Sequence, residues 1–225
     1  MNAPWFEQQP QALREVEATL KAWYPTLHVF IEEKKCRIRG TYAVIDGGRE
    51  IDRYKLEIAL PDDYPRSLPR VWETAGRIKR DPDRHTFKDG ALCLGTPLSL
   101  WIDLRGDFRI ERVLEIPVRN FLIGNGLVEL GEPWPHKERS HGARGLLEHF
   151  RELFGTGQPV MAATFLQAMA EDKVTKHSRC PCGSGRKLLK CHRDGFDALR
   201  RVPSYVLDET AQLILAEFDP RRLVA

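Results

Sequence analysis

Over residues 53–60, Tyr54, Leu56, Ile58 and Leu60 alternate with Arg53, Lys55, Glu57 and Ala59. A two-residue period of this kind fits a strand with one buried and one wet face. Half-buried strands are what antiparallel sheets supply. Apolar-rich runs at 27–31 and 36–45 predict two further strands, and 70–73 a short fourth one. Asp46, Gly47 and Gly48 predict the turn that leads into the alternating strand. Ahead of these runs, Leu13, Val16, Leu20 and Trp23 recur at helical spacing over 10–24. A helix followed by an antiparallel meander predicts an α+β layer.

Downstream the pattern turns helical. The stretch 75–89 is polar and aperiodic, which predicts a loop. Asp107 stands where it would cap a helix through Ile110, Val113 and Leu114. Pro117 predicts a kink or restart, because proline removes a helix hydrogen bond, and Val118, Phe121 and Leu122 continue the apolar face. A loop punctuated by proline and glycine follows at 131–142. Leu146, Leu147, Phe150, Leu153 and Phe154 predict a helix closed by Gly155. Two more helices are predicted at 160–169 and 204–218, the latter with Val206, Leu207, Leu213 and Ile214 as apolar contacts. The chain therefore reads as a domain over 1–155, a helical linker over 156–176, a cysteine-bearing motif over 177–195 and a C-terminal helix over 196–225.

The 225 residues are 42% hydrophobic and 30% charged, enough to bury a core without disulfide staples. The formal net charge of +3 is too small to imply a nucleic-acid partner. No apolar run reaches the length of a membrane span. The N-terminal residues lack a basic region followed by an apolar stretch, so no signal peptide is expected. These features predict a cytoplasmic protein with reduced thiols. Its five cysteines are then metal ligands, nucleophiles or core residues. Cys36, in a strand-like run, fits packing.

Three of the others cluster. Cys180, Cys182, Cys191 and His192 supply four ligands of the soft or borderline kind within 13 residues, flanking Gly183 and Gly185. Four protein ligands suit a closed, tetrahedral, structural zinc site, with no position open for water. His177 is a spare ligand should His192 not serve.

Cys93 stands alone, in Asp89-Gly-Ala-Leu-Cys-Leu-Gly-Thr-Pro-Leu-Ser-Leu-Trp101. Gly90 and Pro97 around it predict an irregular, accessible loop; the alternative is a core cysteine. Tyr64, Pro65 and Pro69 precede it, just past the alternating strand. The order of strand, Tyr-Pro-x-x-x-Pro, loop, Gly-x-x-Cys-Leu and tryptophan resembles the ubiquitin-conjugating enzymes over residues 10–125. The resemblance implies a helix, a four-stranded antiparallel meander, an active-site loop and C-terminal helices, with Cys93 carrying a ubiquitin-like protein as a thioester. Where that family has His-Pro-Asn ahead of its cysteine, this chain has Asp83, Arg84 and His85, and Leu68 replaces a proline of the Tyr-Pro motif. The resemblance puts His85 in the asparagine's place, as an oxyanion donor or a base. It offers Asp103 as a residue that orients the attacking lysine, with an exposed loop aspartate as the alternative. His136 and His141 lie in a polar loop resembling one in bacterial homologues of these enzymes. Either is a further candidate neighbour of Cys93, the alternative being a solvated loop.

The cysteine cluster closely resembles the SEC-C motif, found at the end of the SecA translocation ATPase and appended to many bacterial proteins. It implies a structural zinc ion and a small protein-docking element. Residues 173–201 hold nine Lys and Arg, which fit an acidic protein surface better than nucleic acid. Together the two resemblances imply a transferase in bacterial anti-phage defence of the CBASS type. Its protein substrate would be a ubiquitin-like protein or a cyclic-oligonucleotide synthase, with an activating enzyme as a possible further partner. Two other readings stay open: a non-catalytic adaptor for protein C-terminal tails, and a SEC-C docking protein in export or RNA binding.

Overall fold

The structure, a computed structural model, describes residues 3–81, 84–135, 140 and 142–218. The chain divides into two compact units, Met1–Leu94 with Asp107–His136, and Gly95–Gly106 with Lys137–Ala225.

The first unit is α+β. Helices α1 (Trp5–Gln8) and α2 (Pro10–Trp23) lead into strands β1 (Leu27–Glu32), β2 (Lys35–Asp46), β3 (Arg49–Ala59) and β4 (Arg70–Glu73). These form one antiparallel sheet in the order β1-β2-β3-β4. Asp46 pairs with Arg49 across the two-residue Gly47-Gly48 turn. Both glycines have positive φ, which a tight hairpin turn of this kind requires at both central positions. The alternation in β3 resolves as expected: Tyr54, Leu56 and Ile58 are buried. Val16 and Leu20 of α2 belong to the same buried set, and Cys36 is buried beside them in β2. Burial pushes the Cys36 thiol up to about 11, so it stays protonated as a packing residue.

Two expectations for the next helix need correction. Helices α4 (Ile110–Val113) and α5 (Arg119–Glu129) are one continuous rod, joined through a π-helical turn at Leu114–Val118. Pro117 lies inside that wide turn, and the helix runs on through it without the restart that was one of the two expectations. It has no N–H to donate back along the helix, and widening the turn absorbs the missing bond. The Arg119 N–H reaches Leu114 O, which also accepts the Tyr42 hydroxyl at 3.1 Å. The helix cap is also different from the one expected. The Asp107 carboxylate accepts from the Arg109 N–H and guanidinium, while the N–H of Ile110 donates to the buried Tyr64 hydroxyl at 2.9 Å. Tyr64 is therefore the acceptor for an otherwise orphaned helix-start donor. Its ring packs on Trp5, with centroids 4.9 Å apart.

The second unit is helical: α3 (Pro97–Leu104), α6 (Ala143–Phe154), α7 (Pro159–Ala170), α8 (Arg193–Leu199) and α9 (Ser204–Phe218). Helix α3 was not expected. Pro97 starts it, at the position where a missing N–H costs nothing, and the Thr96 hydroxyl caps the Ser99 N–H at 3.1 Å. The core holds the rings of Phe150, Phe154 and Phe165, with centroids 4.8–6.0 Å apart. Leu166, Leu188, Leu199 and Ile214 complete it. The domain boundary expected at residue 155 falls elsewhere. Helix α6 buries Leu146, Phe150 and Phe154 against α7, α8 and α9, so it belongs with the cysteine-bearing segment. The regions 156–176, 177–195 and 196–225 are likewise parts of one unit. No described helix is long and apolar enough to cross a membrane.

Tyr64→Phe should lower stability by about 1–2 kcal/mol, because the buried Ile110 N–H loses its acceptor. Urea unfolding compared with wild type measures this.

Candidate active site and metal centre

Cys93 is held by backbone pairing on two sides. After β4 the chain loops out and returns as a short hairpin, with Thr86 paired to Leu92 and Phe87 N bonded to Ala91 O at 2.8 Å. The returning leg also pairs with the sheet edge: Leu92 N donates to Val71 O at 2.7 Å, and Ala91 pairs with Trp72. Ala91 and Leu92 are buried and anchor that leg. Cys93 N then donates to His85 O at 2.7 Å. The hairpin register brings His85 opposite Cys93, joined by this one backbone bond. The expected aperiodic loop is thus ordered at its end. Cys93 itself is half-buried, unlike the fully buried Cys36.

His85 has φ 51°, a left-handed conformation that histidine adopts more readily than most residues. Its ring lies against Trp134, with centroids 4.8 Å apart at 52°. Trp134 meets Phe121 edge-on at 5.5 Å and lies over Gly124, where a Cβ would come within 2.8 Å of the indole. Arg84, one residue earlier, donates to the Oδ1 of buried Asn125 at 2.6 Å and stands 3.7 Å from Glu129. Asn125 in turn donates to the Tyr54 hydroxyl and to Glu129, at 3.2 and 3.1 Å.

Arg77 ties the start of the same loop down. Its guanidinium binds Asp52 through two 2.7 Å bonds and Glu129 at 2.6 Å, and stacks 4.2 Å from the Tyr54 ring. Glu73 accepts from the N–H groups of Ala75, Arg77 and Ile78. The bonds from Arg77 hold the Asp52 carboxyl below the usual carboxylate range, against the opposing effect of burial.

The two catalytic candidates Cys93 and His85 thus meet in the first unit. Asp103, the third, is exposed on α3 in the second unit, on a helix and not in a loop. Trp101 of the same helix packs against the second unit's core. His136 and His141 lie outside the described residues, as does Asp83. The sequence reading missed Trp134, Asn125 and Arg77. A Gly-Asn pair within an apolar helix face was the available signal, since neither residue favours a helix interior.

In the second unit, Cys180, Cys182, Cys191 and His192 converge, their ligand atoms all within 4.8 Å of one another. Cys180 Sγ lies 3.2 Å from His192 Nδ1, Cys191 Sγ 3.4 Å from the same nitrogen, and Cys182 Sγ 3.5 Å from Cys191 Sγ. Zinc–ligand bonds of normal length place tetrahedral ligand atoms about 3.5–3.8 Å apart, so the group could hold a metal ion of that size after small shifts of its side chains. The Ser184 hydroxyl lies 3.2 Å from both Cys182 and Cys191 Sγ. It holds the Cys182 thiol below its ordinary range, whereas burial pushes Cys180 up. His177 is exposed and outside the group. The loop is built into its unit: Leu188 is fully buried and the His192 ring meets Phe154 at 6.0 Å.

No protein-family model matches the chain, and no curated protein matches it in sequence.

Two outcomes follow from these geometries. Because the Asp52 carboxyl is depressed in the fold, its contribution is complete above the unfolded carboxylate pKa of about 3.9 and is lost as pH falls through the lower folded value. Arg77→Gln should therefore lower stability at pH 7 and flatten the acid limb of stability against pH, read by denaturant titrations at a series of pH values. For the metal centre, the purified protein should hold one equivalent of metal by elemental analysis and lose thermal stability on chelation. A Cys180→Ser, Cys182→Ser protein that still holds one equivalent would refute the ligand set.

Proposed function

We propose that this protein is a ubiquitin-conjugating-like acyl carrier, with Cys93 as the nucleophile and a structural zinc ion in a SEC-C-type element. The observation that carries the reading is the register that sets His85 opposite a half-buried Cys93 at the sheet edge. The element order agrees with it: a helix, a four-stranded antiparallel meander, a loop bearing the cysteine, then a further helix. A buried cysteine would argue for packing, as Cys36 does.

The acyl donor is the activated C-terminus of a ubiquitin-like or other protein, delivered as a thioester or an acyl adenylate. Deprotonated Cys93 Sγ attacks the carbonyl carbon. The C–S bond forms, the donor's thiolate or adenylate leaves, and His85 takes the thiol proton. A target amine, in the family a lysine, then attacks the Cys93 thioester. The amine's proton passes to His85 or water, Cys93 thiolate departs, and an amide bond remains. His85 can also donate a hydrogen bond to the oxyanion of the tetrahedral intermediate. Asp103 is kept as a candidate for orienting the amine on resemblance alone.

The zinc element and its surrounding cations suit a docking role toward an acidic protein. The combination points to bacterial anti-phage defence of the CBASS type, with a cyclic-oligonucleotide synthase as the target. An adaptor that only binds C-terminal tails is the second reading. It needs no thiol, whereas here a half-buried cysteine is paired through its backbone with a histidine across the hairpin.

Protein purified with its native partners should carry an adduct on Cys93 that thiol reagents remove. Cys93→Ser should carry the same adduct as an ester that resists thiols, and Cys93→Ala none. Intact-mass and peptide mass spectrometry read all three. Full function in Cys93→Ala cells would leave only the adaptor.

A further inference from the structure

We propose that Trp134 is a positioning residue whose indole holds the His85 imidazole at Cys93. This rests on the reading of Cys93 as the thioester carrier.

His85 ends the first leg of the hairpin in a left-handed conformation. Backbone pairing fixes its Cα opposite Cys93, but it does not fix the direction of its ring. A histidine at the end of an open hairpin has several staggered rotamers. The Trp134 ring, 4.8 Å away and tilted by 52°, restricts that choice. Aromatic pairs at this separation and tilt attract one another.

The indole is itself seated by helix α5. Gly124 leaves the space it fills, since a Cβ there would come within 2.8 Å of the ring, and Phe121 meets its edge. The next helix residue, Asn125, binds Arg84, the neighbour of His85. Consecutive helix residues thus fix consecutive loop residues, Asn125 through the Arg84 side chain and Gly124 through Trp134. The Gly-Asn pair in an otherwise apolar helix face has an explanation in this arrangement.

Trp134 touches His85 and is not itself placed on the reacting atoms, so its effect must run through the imidazole. The imidazole accepts the Cys93 thiol proton as the sulfur attacks an electrophile, and a ring turned away cannot do so. Without Trp134 the fold persists and the thiol stays in place, but proton transfer slows.

The test uses the full chain and iodoacetamide, with Cys93 alkylation followed by peptide mass spectrometry, so no partner is needed. His85→Ala should slow alkylation about tenfold, less than the roughly 10²–10⁴-fold that a base positioned on bound substrate contributes. Trp134→Leu should match it, and Trp134→Phe should keep most of the wild-type rate. Gly124→Ala, which crowds the indole from behind, should fall between. The His85→Ala, Trp134→Leu double variant should be no slower than His85→Ala alone. A merely structural role predicts multiplied effects instead, and loss of thermal stability in proportion to the rate. Wild-type reactivity in Trp134→Leu or in His85→Ala, or multiplied effects in the double variant, overturns the proposal. The adduct on Cys93 is scored separately in the wild type. If no adduct forms while alkylation still depends on Trp134 through His85, the carrier reading fails and the positioning relation survives. If the adduct forms and alkylation ignores Trp134, the positioning relation alone fails.

Discussion

The hydrogen bond from Leu92 N to Val71 O joins the cysteine loop to the sheet, and the candidate active site depends on it. It makes the returning leg of the loop an extension of the β4 edge, with Ala91 and Leu92 buried beneath it. Once that leg is fixed, the pairing from Cys93 N to His85 O follows from the antiparallel register, and the position of the histidine is no longer a matter of loop conformation. A residue slip in this hairpin would exchange the residues facing each way and separate the two. The buried side chains that prevent the slip are therefore as much a part of the site as the thiol.

The long helix Ile110–Glu129 serves the site from behind. Its start is satisfied by Tyr64, so the Tyr-Pro segment works through a helix terminus. Its middle widens at Pro117 into a π-helical turn, which lets the rod run on across the buried tyrosines of β2 and β3. Its end presents Gly124, Asn125 and Glu129 to the loop. Arg77 closes this set by bridging Asp52 on the sheet and Glu129 on the helix. An exposed ion pair of this type contributes little alone. Here two carboxylates and an aromatic face share one guanidinium, which makes the arrangement geometrically specific.

The metal centre follows a different logic. Its four candidate ligands come from 13 residues of chain, so short-range turns bring them close. The loop is nonetheless continuous with a helical core through Leu188, Cys180 and the His192–Phe154 contact. An ion held there would couple to the packing of α6 to α9, as expected where a ligand set is completed by folding.

The period-2 alternation of β3, the helical spacing of α2, α6, α7 and α9, and the spacing of the metal ligands were all legible in the sequence. Each is a repeat or a short-range relation that depends only on backbone geometry. Helix α3 was not, because Pro97 reads as a loop signal unless Thr96 is seen capping it. The path of the helix through Pro117 was not, since a proline ends or bends a helix according to what its neighbours can absorb. Nor was the grouping of α6 with the cysteine segment, which is decided by which apolar faces bury one another. By itself the sequence determined the sheet, most of the helices, and the cysteine-histidine cluster that could hold a metal ion. Only the tertiary structure set His85 opposite Cys93 and Trp134 against His85, because the hairpin register is fixed by pairing with the sheet edge and Trp134 lies far from His85 in the chain. Both relations exist only once sheet edge and helix are packed.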